Sequence, residues 1–80
     1  MVVPAAFVYL RRMAQLDQPI TSVDCSKKPP EITVGMHGRS RVIAVTAEIC
    51  EKARTLPQPR MAKVDYDTSP PKIVDVFTST

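Results

Sequence analysis

Apolar and polar positions along this chain alternate in some stretches and follow a helical spacing in others. Ile32, Val34 and Met36 recur at period two, so Glu31–Met36 is expected as a strand. From Val42 the apolar positions fall at Val42, Val45, Ile49 and Ala53, the spacing of one helical face. They predict a helix from Arg39 or Ser40 to Leu56, stopped by Pro57 and Pro59. Ala62, Val64 and Tyr66 alternate with Lys63, Asp65 and Asp67, and the run Ile73–Phe77 is β-branched and aromatic. Asp67-Thr-Ser-Pro-Pro71 between them supplies the turn of a hairpin. Near the start, Pro4 suits a first helical turn. Ala6, Phe7, Leu10, Met13 and Ala14 continue it as an apolar stripe to about Leu16, with Arg11, Arg12 and Gln15 opposite. The segment 17–30 holds three prolines and reads as an irregular connection pinned by Ile20 and Val23.

The resulting order is α-β-α-β-β, an α/β (α+β) chain forming a single domain over residues 1–80. A three-stranded sheet of this kind leaves a long edge open, and proteins cover or pair such edges. Eighty residues also make a small core that often needs a partner, a metal or a disulfide. Both points lead to an expected partner chain. The two cysteines, Cys25 and Cys50, complete neither a disulfide framework nor a zinc site. One bridge between them is open, but a loop thiol and a half-buried helix thiol are expected, which fits reduced intracellular surroundings. Cytoplasm or nucleus follows. The acid-free first sixteen residues, with their two arginines, leave a mitochondrial presequence open. No apolar run has the length that crosses a bilayer, so no membrane partner is expected.

A net charge of +3 is compatible with an anionic partner without requiring one. Gly38, Arg39 and Arg41 lie where the strand pattern gives way to the helical one. Helix amides and guanidinium groups there would attract phosphate. His37 could stack on a base or simply occupy the turn. Arg11 and Arg12 on the first helix, and Lys27-Lys28 in the connection, would extend a basic surface or form solvated faces. No catalytic set has interpretable spacing, since His37 would have to act alone. Asp65 and Asp67 lack a third ligand for a metal, and there is no glycine-rich phosphate loop. The expectation is a binding module with no cofactor, not an enzyme.

Several of these stretches resemble the Alba superfamily of small nucleic-acid-binding proteins. Pro4-Ala-Ala-Phe-Val-Tyr-Leu10 is similar to the family's first helix. Glu31-Ile-Thr-Val34, Gly38-Arg39 and Val42-Ile-Ala-Val-Thr-Ala-Glu-Ile49 match its second strand, turn and second helix, and the hairpin follows in place. The resemblance implies an Alba-like two-layer sandwich of order (β)-α-β-α-β-β, with the first strand absent or vestigial. It implies nucleic-acid binding, and homo- or heterodimerisation with another Alba-like chain or membership of a ribonucleoprotein. Val2 and Val3 stand where archaeal members often carry lysines. The longer connection is more similar to Alba-like subunits of ribonuclease P and MRP. With Asp65 and Asp67 in the hairpin, this favours RNA over DNA. The alternative is a structural subunit of a larger assembly, with little nucleic-acid affinity of its own.

Overall fold

The computed structural model of the chain describes residues 15–36 and 38–79. Five strands and one helix appear in the order β1 (Gln15–Asp24), β2 (Glu31–Val34), β3 (Arg41–Ala44), α1 (Ala47–Thr55), β4 (Arg60–Asp65) and β5 (Lys72–Thr78). All pairings are antiparallel, and the sheet order is β3-β2-β1-β4-β5.

β1 holds this sheet together because it serves both halves. Its first part, Gln15 to Pro19, pairs with β4, and its second part, Ile20 to Asp24, pairs with β2. A register shift between Ile20 and Ser22 separates the two pairings. The extra residue bends a strand and increases its twist. The bend lets the sheet curl until its two edges, β3 and β5, approach each other. Cross-strand rows then turn inward: Val23, Ile32 and Ile43 form one, and Ala62 with Val76 and Val64 with Ile73 form others. Ile20, Ile32, Val34, Ile43, Ala53, Ala62, Val64, Ile73 and Val76 make one buried cluster. Each fully buried aliphatic side chain contributes about 1.5–3 kcal/mol of burial free energy.

α1 closes one end of the curl. Thr46 caps it, its hydroxyl accepting from the Ile49 amide at 3.2 Å. Glu48 in the first turn and Lys52 and Arg54 in the last complement the helix dipole. The Leu56 amide closes the last turn on the Ala53 carbonyl, which also accepts from the Arg60 guanidinium at 3.2 Å. Pro57 prevents continuation, because the residue before a proline is pushed out of the helical region. A nine-residue helix is marginal alone, so its stability comes from the burial of Cys50 and Ala53.

Four expectations are corrected here. Segment 17–30 is not an irregular connection: it holds most of β1, including Leu16's continuation through Pro19 and Ile20. The expected helix from Arg39 or Ser40 begins only at Ala47, and Arg41–Ala44 before it is β3. The described residues therefore run β-β-β-α-β-β, and differ from the Alba-like order in residues 15–46. Leu16 lies in β1, so the first helix cannot reach it. The rest of that expected helix, with Arg11 and Arg12, lies outside the described residues. The strand at Glu31 ends at Val34 instead of Met36, the C-terminal hairpin is where its two runs put it, and the helix stops where the prolines require. The three-stranded sheet with an unpaired long edge, which motivated a partner chain, is replaced by five paired strands.

The cysteine expectation is also overturned. Cys25, just after β1, and Cys50, in α1, form a disulfide with Cα atoms 5.8 Å apart. The bridge ties the β1–β2 loop to the helix and supplies the staple that so small a core needs.

Surface carboxylates add a pH dependence. Hydrogen bonds from the Ser26 hydroxyl and amide hold the Asp24 carboxyl below its usual range. The Lys52 ammonium, 2.8 Å away, and then the Val76 amide do the same for Asp75. Arg54 does so for Glu51. A carboxylate whose folded pKa is depressed stabilises fully above its unfolded pKa and loses that contribution as pH falls through the folded value. The thermal midpoint is therefore expected to be flat from pH 7 to about 5 and to drop below about pH 4. Asp75→Asn should reduce the size of that drop, read by circular dichroism melts across the acid range. An unchanged acid profile in Asp75→Asn would contradict this assignment.

Candidate nucleic-acid interface

The residues expected to bind phosphate do not converge. Arg41 pairs with Val34, and antiparallel partners share a face of the sheet. Val34 is buried in the core, so Arg41 belongs to an inward row at the end of the curl away from α1. Its guanidinium sits over the Tyr66 ring, 5.5 Å from the centroid. Tyr66 packs against the core, and its hydroxyl donates to the Gln18 side-chain oxygen. Arg41, Tyr66 and Gln18 thus cover this end of the curl as a polar lid. Arg41 is exposed but engaged in the fold.

Arg39 sits instead in the β2–β3 turn, where its amide donates to the Met36 carbonyl at 2.9 Å. Gly35 and Gly38 make the turn possible, with φ of 112° and 75°. α1 starts at Ala47, so among the described residues no helix amides stand beside Gly38 or Arg39, and that part of the phosphate argument falls. The turn borders a cleft of about 490 Å³ lined by Pro19, Thr21, Gly35, Met36, Gly38 and Ser40. Met36 is 74% exposed there. His37, like Arg11 and Arg12, lies outside the described residues.

Lys27 and Lys28 lie at the other end of β2. Their loop is built by three constraints. Asp24 accepts from Ser26, Lys27 meets Glu31 at 3.3 Å, and the Val45 amide donates to the Pro30 carbonyl at 2.9 Å. Both lysines are exposed. Between this loop and the Arg39 turn runs the outer face of β1, β2 and β3. Its cross-strand rows are Ser22, Thr33 and Val42, then Asp24, Glu31 and Ala44. Glu31 is paired with Lys27, while Asp24 stays an ionised carboxylate held by the Ser26 hydroxyl and amide, so the row beside the lysine loop is acidic and only the row of Ser22, Thr33 and Val42 is uncharged. β2 spans about 13 Å at the usual rise per residue, and this sets the distance between the two basic ends.

A second cleft, of about 330 Å³, lies where Pro70 and Pro71 of the β4–β5 turn face Glu31, Arg41, Val42, Ile43 and Ala44. Neither proline was singled out in the sequence beyond its role in a turn. Among the described residues no group of three His, Cys, Asp or Glu side chains is placed to hold a metal ion. Among the same residues no helix is long and apolar enough to cross a membrane.

No family model matches the chain, and neither a curated protein nor a solved structure matches it.

Proposed function

We propose that this chain is a nucleic-acid-binding module that takes a single strand, RNA ahead of DNA, across the outer face of β1, β2 and β3. One observation carries the reading. An uncharged row of Ser22, Thr33 and Val42 is bounded at one end by Lys27 and Lys28, which stand beside the carboxylates of Asp24 and Glu31, and at the other by Arg39. Cations at the two ends suit the phosphates of a short strand, and the floor and the Met36 cleft suit its bases. The strand order supports the same class of ligand by analogy. A bent first strand shared between two halves, with a helix between the third and fourth, resembles the five-stranded OB barrel. Such barrels bind oligonucleotides and oligosaccharides on the face of strands two and three. The Alba resemblance leads to nucleic acid by another route, although its strand order is not adopted by the described residues. The reading needs no partner chain, and it makes the protein a binder rather than an enzyme.

Fluorescence anisotropy with a labelled single-stranded RNA, the matching DNA strand and a duplex tests this at several salt concentrations. Wild type should bind the single strands, weakening as salt rises. Lys28→Ala/Arg39→Ala should lower the salt slope by about 1.4, from two lost phosphate contacts. Arg41→Ala should leave that slope in place and lower the thermal midpoint instead, since Arg41 packs on Tyr66. Absence of binding at low salt, or an unchanged slope in the double variant, would overturn the proposal.

A further inference from the structure

We infer that the Cys25–Cys50 disulfide is a redox lock on the β1–β2 loop that sets the affinity of the proposed nucleic-acid face, an inference that rests on that reading. The two sulfurs have unequal surroundings. Cys50 is fully buried on the core side of α1, where a small apolar thiol packs as well as a half-cystine. Cys25 is half-buried in a surface loop. Opening the bridge therefore leaves the helix seated and frees the loop.

The freedom gained is local. Asp24 remains paired with Glu31, and the Pro30 carbonyl still accepts from Val45, so both stems stay anchored. What loses its covalent tether is the short tip that carries Lys27 and Lys28, which is then held only by the exposed Ser26–Asp24 and Lys27–Glu31 contacts. A lysine held in place beside the floor contributes to phosphate binding without first being ordered, and a loosened one must be ordered on binding.

The chemistry is a two-electron exchange with a dithiol. Its thiolate attacks the accessible Cys25 sulfur, forming a mixed disulfide and releasing Cys50 as a thiolate that takes up a proton. The reagent's second thiol then attacks its own sulfur in the mixed disulfide. This releases Cys25 as a thiol and leaves the dithiol oxidised to a cyclic disulfide.

The test uses the full chain, oxidised or treated with dithiothreitol, with the thiol count checked by mass after alkylation. Binding is read by anisotropy with a labelled single-stranded RNA at low salt. Hydrogen exchange reports on the loop and helix independently of ligand. Reduction should weaken binding by roughly 3- to 10-fold. It should also raise exchange in Cys25–Lys28 while Ala47–Thr55 stays protected. Cys25→Ser/Cys50→Ala should bind like the reduced protein and ignore dithiothreitol. Lys27→Ala/Lys28→Ala should bind weakly in both states. Equal affinity of the oxidised and reduced protein overturns the lock and leaves the binding reading standing. Absence of binding in both states overturns that reading and the lock with it. Loss of protection throughout α1 on reduction also overturns the lock, because the bridge would then hold the whole fold.

Discussion

Gly35→Ala is expected to lower stability by about 3 kcal/mol, with a matching fall in the denaturation midpoint. Two costs combine at this residue. Its φ of 112° is outside the range that side chains adopt readily, whatever space is available. The space is not available either. A methyl group there would run into the Arg39 carbonyl oxygen and come within 3.2 Å of the Ser40 Cα, both backbone atoms that side-chain rotation cannot move. The Gly35 amide also donates to the Pro19 carbonyl at 3.0 Å, which fixes the turn to the bend of β1. Gly38 provides the control. Its φ is 75°, but a Cβ there meets nothing within 4 Å. Gly38→Ala should therefore cost about 1 kcal/mol, from conformation alone. Urea unfolding of the two variants decides the matter. Equal losses would mean that the Arg39 backbone moves aside and the clash is not real.

The second large effect is expected from removing the disulfide. A crosslink between residues separated by 25 positions restricts the unfolded chain, and its loss should cost about 3 kcal/mol on the chain-entropy account. Cys25→Ser/Cys50→Ala is the suitable variant, since alanine at the buried helix position leaves no unpaired polar group. Its urea midpoint, compared with that of the oxidised wild type, gives the loss directly. A difference below about 1 kcal/mol would show that the unfolded chain is already compact without the bridge or that the bridge is strained. The same compactness argument explains why so short a chain with one modest cluster of aliphatic residues holds a five-stranded sheet.

The sequence was legible where one pattern governed one element. Glu31–Val34 and β4 alternate, because one face of each is more buried than the other, and β5 was legible from its β-branched and aromatic run although a register shift puts its buried Ile73 and Val76 three positions apart. β1 was illegible for a definite reason. Its bulge places Ile20 and Val23, three positions apart, on the same side, so period two is broken in the middle of the strand. Pro19 within the strand concealed it further. The false helix at Val42 came from a coincidence of spacing. Val42 points outward on β3, and Ile49 and Ala53 point inward on α1, yet together they mimic one helical stripe. Thr46 before Ala47-Glu48 was the available signal for the true start, since threonine caps and glutamate favours the first turn. Of the candidate site, Lys27, Lys28 and Arg39 were found as charges but not as neighbours of one face. Ser22, Thr33 and Val42 could not be found at all, because only the pairing of β1, β2 and β3 aligns them.

The placement of the bridge also bears on how the chain closes upon itself. Most strand pairs join neighbours in sequence, but β1 and β4 bring together residues about forty positions apart, as Pro19 and Met61 show. That contact closes the longest loop in the fold, and loop closure sets much of the entropic barrier to assembly. Cys25 and Cys50 both lie inside this loop, so once joined they short-circuit more than half of its contour. In the bridged chain the shortest covalent path between the first strand and the fourth is cut to about half, so the most distant pairing in the sheet closes a much smaller loop.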